Sequence, residues 1–239
     1  MTRDDPGRSE ALARIERVYR MRMLRRDNAD ARVPDRMDRT DALKQAAYAR
    51  RLSKHQLMPL GRCDVLDVGC QWGAWLAWCR QAWGHDGGRL CGIDLMREWI
   101  DKGKARYDFL DLRHGSGDRL PWDDETFDLV HQGMVFSSVL DADLREGIAA
   151  EMRRMVRPGG HVLWYDFFFN PINRDTVGMT YRRVKRYFPG WTTMARDRVT
   201  LAPPLSRVLG RIGPNAIDLL TSLRFLNFHY LILLRKPPA

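Results

Sequence analysis

From residue 63 onward, short apolar runs alternate with amphipathic stretches, and this alternation limits the fold more than any other feature of the chain. "CDVLDVG" (63–69) reads as a strand, and "AWLAWCRQAWG" (74–84) as a helix stopped by Gly84. "RLCGIDL" (89–95), "YDFLDLRHG" (107–115), "TFDLVHQG" (126–133) and "HVLWYDFFF" (161–169) supply four more strands. "MREWIDKGKAR" (96–106) and "DADLREGIAAEMRRMVRPGG" (141–160) are helices between them, the second ending in a Pro-Gly-Gly stop. Strands alternating with helices imply a mostly parallel sheet wrapped on both faces, an α/β fold.

The flanks read differently. Residues 9–26 carry Leu12, Ile15, Val18, Tyr19 and Met23 at helical spacing behind Ser9, a candidate cap. A polar loop broken by Pro34 follows, then a second helix over 40–58 that ends near Pro59–Gly61. Past residue 170 the pattern predicts a helix over 175–188, a strand over 192–203, a helix-rich stretch over 205–227 and a last strand over 228–236.

At 239 residues the chain suits one sizeable domain with a small appendage. No apolar run is long enough to span a bilayer, and the charged N-terminus lacks a secretion h-region, so a cytoplasmic protein is expected. Cys63, Cys70, Cys79 and Cys91 match no zinc spacing and are expected to be reduced packing residues. The net charge of +10 is uneven: residues 1–63 carry +7, 64–150 carry −7 and 151–239 carry +10. Basic flanks around an acidic block suit an anionic partner, and they equally suit arginine-rich solvated helices.

In a parallel sheet a ligand sits outside the carboxyl ends of the strands. "DVLDVGCQWGAW" (64–75) lies at such an end. Gly69 and Gly73 let the backbone approach a bound group, and Asp67 ends the strand as a carboxylate. Neither G-x-G-x-x-G nor Gly-Lys-Ser/Thr is present, so the loop suits a nucleoside whose charged end is not a phosphate. Asp94, ending "GIDL", is placed to accept both hydroxyls of a ribose. "HGSGDRLPW" (114–122) is the loop for an adenine edge.

With "VLDVGCQWGAWL", "GIDL", "GSGDRLPW…FDLV" and "EMRRMVRPGGHVLWYDF" in this order, the sequence resembles the class I S-adenosylmethionine-dependent methyltransferases of the type 11 sort, over roughly residues 60–170. The resemblance implies a Rossmann-like fold, with a mostly parallel seven-stranded sheet and an antiparallel final strand. It divides the chain into a helical extension or lid (1–60) and a methyltransferase domain (61–239) with acceptor-specific elements in 170–225. The implied cofactor is S-adenosyl-L-methionine. Asp67, Gly69, Gly73 and Gln132 would line its methionine side, with Cys70 and Gln71 as further cofactor contacts; Asp94 would take the ribose; Leu95, Ser116 and Gly117 would flank the adenine. The sequence departs from the family at Gln71, usually glycine, and at Ser116, usually aspartate, with Asp118 a doubtful substitute two residues on.

His131 and Asp166, at the ends of the fourth and fifth strands, are the candidate catalytic groups. His131 is read either as a general base or as a histidine packed behind the cofactor; Asp166 either as a proton acceptor or as a turn cap. Tyr19, on a first helix read as a lid, and Tyr165 and Asn170 are the candidate acceptor contacts. Asp166 and Asn170 offer only two oxygen ligands, so no metal is expected. The resemblance favours O-methylation of a small molecule or glycan, in natural-product or polysaccharide biosynthesis, with an acceptor that is phosphate-bearing or carrier-linked. An RNA or protein methyltransferase and a non-catalytic cofactor-binding subunit are the alternatives. "HQGMVF" (131–136) lacks the Pro-Pro segment of many base and glutamine methylators, so nucleic acid is the weaker partner class. A homodimer is an admissible assembly.

Overall fold

A computed structural model describes residues 6–29, 39–169, 175–201, 220–221 and 223–239. Seven strands form one sheet in the order β3-β2-β1-β4-β5-β7-β6. They are β1 (Val65–Val68), β2 (Leu90–Asp94), β3 (Asp111–His114), β4 (Phe127–Gly133), β5 (Val156–Phe167), β6 (Thr192–Leu201) and β7 (Asn227–Arg235). β1 to β5 run parallel, and β7 is antiparallel to both β5 and β6. The strand order reverses between β1 and β4, which opens a crevice at their carboxyl ends.

The helices are α1 (Pro6–Ala29), α2 (Arg39–Lys54), α3 (Ala74–Ala82), α4 (Arg97–Arg106), a four-residue α5 (Val135–Ser138), α6 (Ala142–Met155) and α7 (Tyr181–Tyr187). α1 opens at Pro6, ahead of the expected Ser9 cap; proline suits a first helical turn because its missing N–H has no partner there. α6 is capped by Asp141, whose carboxylate accepts the Leu144 N–H at 2.7 Å. The Pro-Gly-Gly after α6 is not the helix stop the sequence suggested. α6 ends at Met155, and Arg157–Gly160 form an irregular excursion inside β5, with Gly159 at φ 77°. The helix predicted over 175–188 is shorter and starts after Thr180. Most of the stretch read as helix-rich, 202–219 and 222, lies outside the described residues.

The period-two alternation of the strands sorts their side chains into two apolar clusters, one per face. Leu66, Val68, Ile93, Val130, Val162, Trp164 and Ile232 join α6 and α7 on one face. Val65, Leu90, Leu129, Leu163, Leu231 and Leu233 join α2 and α3 on the other. All four cysteines are free thiols, and Cys70, Cys79 and Cys91 are buried. No helix among the described residues is long and apolar enough to cross a membrane.

Trp164 anchors the first cluster. It is fully buried, 4.4 Å from the Phe136 ring and flanked by Tyr187 and Phe188. Trp164→Ala should cost about 3–5 kcal/mol, read as a lower urea midpoint.

Candidate active site

The turn after β1 is made of positive-φ residues: Gly69 (78°), Gln71 (52°) and Gly73 (81°). Gly69 has a second reason to be glycine, since a Cβ there would stand 2.4 Å from Val135 Cγ2 of α5. Gln71 occupies the left-handed region as a non-glycine residue, which accounts for the glycine usual there. Its side chain reaches the cleft, while its N–H donates to Asp94 Oδ2 at 2.9 Å. Met96 N–H donates to Asp94 Oδ1 at 2.8 Å. One carboxylate therefore ties the β1 turn to the β2 turn.

These turns floor a cleft that encloses about 740 Å³ of empty space, part of it open solvent. Of the residues named in the sequence, Gly69, Gln71, Asp94, Leu95, Ser116 and Gly117 line it. Val68 and Ile93 form its apolar floor, and α1 closes it from above with Leu12, Ile15 and Tyr19. The Tyr19 hydroxyl donates to Ser138 Oγ at 3.0 Å, and its ring meets Trp99 edge-on at 5.6 Å. Trp99, Met134, Val135 and Ser138 also line the cleft and were not singled out in the sequence. Trp99 sits on an otherwise charged helix, and a four-residue helix such as α5 has too little periodicity to detect.

The remaining expected residues lie elsewhere. Asp67, Cys70, Gly73 and Gln132 do not line the cleft. Cys70 is buried behind the turn among the α3-side residues, and Gly73 opens α3 against Leu110 and Leu112. Gln132 sits fully buried under α5, accepting the Val135 N–H at 3.1 Å and donating to the Tyr165 carbonyl at 3.3 Å. Asp67 and His131 occupy paired positions of β1 and β4 on the face opposite the cleft. There the His131 Nδ1–H donates to Asp67 Oδ1 at 2.7 Å, the Tyr48 hydroxyl donates to Nε2 at 3.3 Å, and Trp75 stacks on the ring at 4.0 Å.

Asp166 is fully buried and accepts the N–H groups of Ser137 (3.0 Å) and Phe167 (2.8 Å). Burial outweighs those donors and pushes its carboxyl up to about 7. It holds α5 in place and is not among the cleft-lining groups. Tyr165 points to the opposite face, where its hydroxyl meets Thr200 Oγ1 at 2.7 Å and its ring stacks on His229 at 4.8 Å. Asn170 lies outside the described residues. Asp118 is not presented to the cleft: Arg8 of α1 donates to it through Nε (2.5 Å) and a terminal nitrogen (3.0 Å), and Ser116 Oγ donates to it as well. No cluster of three or more metal-ligating side chains occurs among the described residues.

The cleft fits an adenosyl group on its own chemistry. Asp94 accepts backbone N–H groups from Gln71 and Met96, with the Leu95 N–H adding a third contact, and its remaining lone pairs can take ribose hydroxyls. Apolar Leu95 and Ile93 stand where a base plane would pack, and Gly117 keeps that wall thin, since a Cβ there would come 2.9 Å from Val68.

Residues 66–164 match a family described as a methyltransferase domain, and this match supports a class I S-adenosylmethionine-dependent methyltransferase. S-adenosyl-L-methionine is the cofactor this domain indicates. The chain is 34% identical over 104 residues to the demethylmenaquinone methyltransferase of Bacillus mycoides (strain KBAB4), across 41% of this chain and 42% of that protein. It thus spans less than half the length of that curated relative. Its fold is similar to an S-adenosylmethionine-dependent methyltransferase from Mesorhizobium loti (TM-score 0.58, 15% identity, 77% of this chain and 95% of that one). It is also similar to the cyclase SpnF (TM-score 0.56, 17% identity, 82% of both chains).

Two outcomes are expected. His131→Ala would strand the buried Asp67 carboxylate, so it should cost about 3 kcal/mol or more of stability, read by urea denaturation. The Asp94 carboxyl is raised to about 6, chiefly by burial. Ribose hydroxyls donate to the ionised form, so cofactor binding should hold above about pH 6 and weaken as pH falls through that value, read by calorimetry.

Proposed function

We propose that this chain transfers the methyl group of S-adenosylmethionine to an oxygen of a small acceptor that enters the cleft between α1 and α5. One observation carries the reading: the Gly69–Gln71 turn, the buried Asp94 carboxylate and the close wall at Gly117 meet in one cleft roofed by apolar residues of α1. The bound cofactor supplies a methyl group already activated by its sulfonium. What remains for the protein is to orient an acceptor and exclude water, which can provide most of the rate.

α1 excludes water through Leu12, Ile15 and Tyr19, in keeping with residues 1–60 as an extension that serves as a lid. α5 presents Val135 and Ser138 to the cleft, and it is oriented by Gln132 and Asp166 from below. Both of these act as positioning residues. His131 serves to join β1 to β4 through Asp67. Among the described residues lining the cleft there is neither an imidazole nor a carboxylate besides Asp94. That favours an acceptor more acidic than an alcohol, such as a phenol or enol, over a sugar hydroxyl, which needs a stronger base. The quinone in the name of the 34% identical relative points to an acceptor of similarly apolar character. The acceptor-specific elements expected in residues 170–225 lie in part outside the described residues.

The test pairs binding with turnover. S-adenosylmethionine should bind the chain by calorimetry, and Asp94→Ala should weaken it by about 1–3 kcal/mol, the worth of hydrogen bonds to an ionised group. With phenolic and enolic acceptors, product mass should rise by one methyl group as the demethylated cofactor accumulates. Absence of cofactor binding at millimolar concentration would overturn the enzyme reading. Binding without methyl gain across the panel, glycosides included, would leave a cofactor-binding subunit or a non-methylating catalyst on this fold.

A further inference from the structure

The strand β6 lies at the sheet edge, and two of its residues, Arg196 and Arg198, project from the face that carries α6 and α7. Their register partners on β7 are Ile232 and Tyr230, both associated with the cluster that floors the cofactor cleft. Each guanidinium lies over an aromatic ring: Arg196 over Tyr181 at 4.5 Å, and Arg198 over Phe168 at 4.7 Å. Tyr181 is itself pinned through its hydroxyl to Thr193 at 3.0 Å. A guanidinium held over a ring loses little further freedom when its N–H edge takes up an oxyanion.

Neither arginine forms an ion pair with a described residue. The acid between them, Asp197, belongs to the opposite side of the strand, where both its oxygens accept from Arg51 of α2. Arg196, Asp197, Arg198 and Tyr230 line an open groove, and the Asp197 carboxylate is engaged by Arg51 on the other side of the strand. The surrounding third of the chain, residues 151–239, adds a net charge of +10.

Position links the groove to the active site. Arg198 pairs with Tyr230, which pairs in turn with Asp166 near the carboxyl end of β5. β6 is three strand intervals from β4, whose Gly133 lines the cofactor cleft. That is about 15 Å along the same face of the sheet, the length of an elongated small molecule.

We propose that Arg196 and Arg198 form an oxyanion subsite that binds a phosphate or diphosphate group. On the methyltransferase reading, on which this clause alone rests, the group belongs to the acceptor, whose other end reaches the α5 side of the cofactor cleft. Phosphate suits the site better than a single carboxylate because it offers three oxygens to two forks at once.

Inorganic pyrophosphate is the probe, titrated into the full chain and followed by calorimetry and by amide shifts. Binding is expected, with shifts centred on β6 and β7. Arg196→Gln and Arg198→Gln should each weaken it about tenfold, the loss of charge-assisted contacts. Both arginines lie outside the cofactor cleft, so affinity for the demethylated cofactor should stay unchanged in both variants. A second arm uses vesicles containing anionic phospholipid: retention by vesicles together with pyrophosphate binding assigns the group to a lipid-linked ligand, and pyrophosphate binding alone to a soluble one. No pyrophosphate binding, equal binding by the double variant, or shifts confined to α1 and α2 would overturn the subsite. Pyrophosphate binding needs no methyl transfer, so failure here and failure of the methyltransferase reading are separate results.

Discussion

The site depends on one carboxylate. Asp94 ends β2 and accepts a backbone N–H from the β1 turn and another from the start of α4. The Ile93 carbonyl also joins these strand ends by accepting from Gly69 and Cys70, but without Asp94 the left-handed Gln71 would have nothing opposite its N–H. The protein keeps a buried acid whose charge burial disfavours. The same desolvation that raises its proton affinity makes it a strong acceptor once ionised and paired.

The sheet alternation places polar groups in two separate systems. Facing the cleft are Asp94 and the hydroxyls of Tyr19, Ser116 and Ser138. Behind the sheet, Asp67, His131 and Tyr48 form one buried chain, and Tyr165, Thr200 and His229 another. Burial drives His229 down to about 4, so it stays neutral and accepts or donates within that chain. Buried polar networks of this kind fix register, since a one-residue slip of β4 against β1 would part His131 from Asp67.

Much of the fold was legible because the strands of residues 63–170 are apolar, short and bounded by glycine or acid. Period two also sends Asp166 and Tyr165 to opposite faces of the sheet. What one sequence could not supply was which face each alternate residue takes. His131 looked available because it follows an apolar strand; its parity with Leu129 rather than Val130 sends it behind the sheet. Asp67 follows the same parity with Val65. The Pro-Gly-Gly excursion was misplaced because those residues suit a bulge as readily as a helix stop. α5 escaped notice because its stability comes from two buried side chains supplied by β4 and β5, not from its own four residues.

The contact between Arg8 and Asp118 reaches further than the ion pair itself. It joins the first turns of α1 to the loop at the adenine end of the cleft, while Tyr19, three turns along, is fastened to α5 at the other end. Arg14 and Arg20 add ion pairs to Asp175 and to Glu98 of α4 along the same helix. Salt screens these exposed pairs more than the half-buried Arg8–Asp118 contact, so added salt loosens the Tyr19 end of the roof before the Arg8 end.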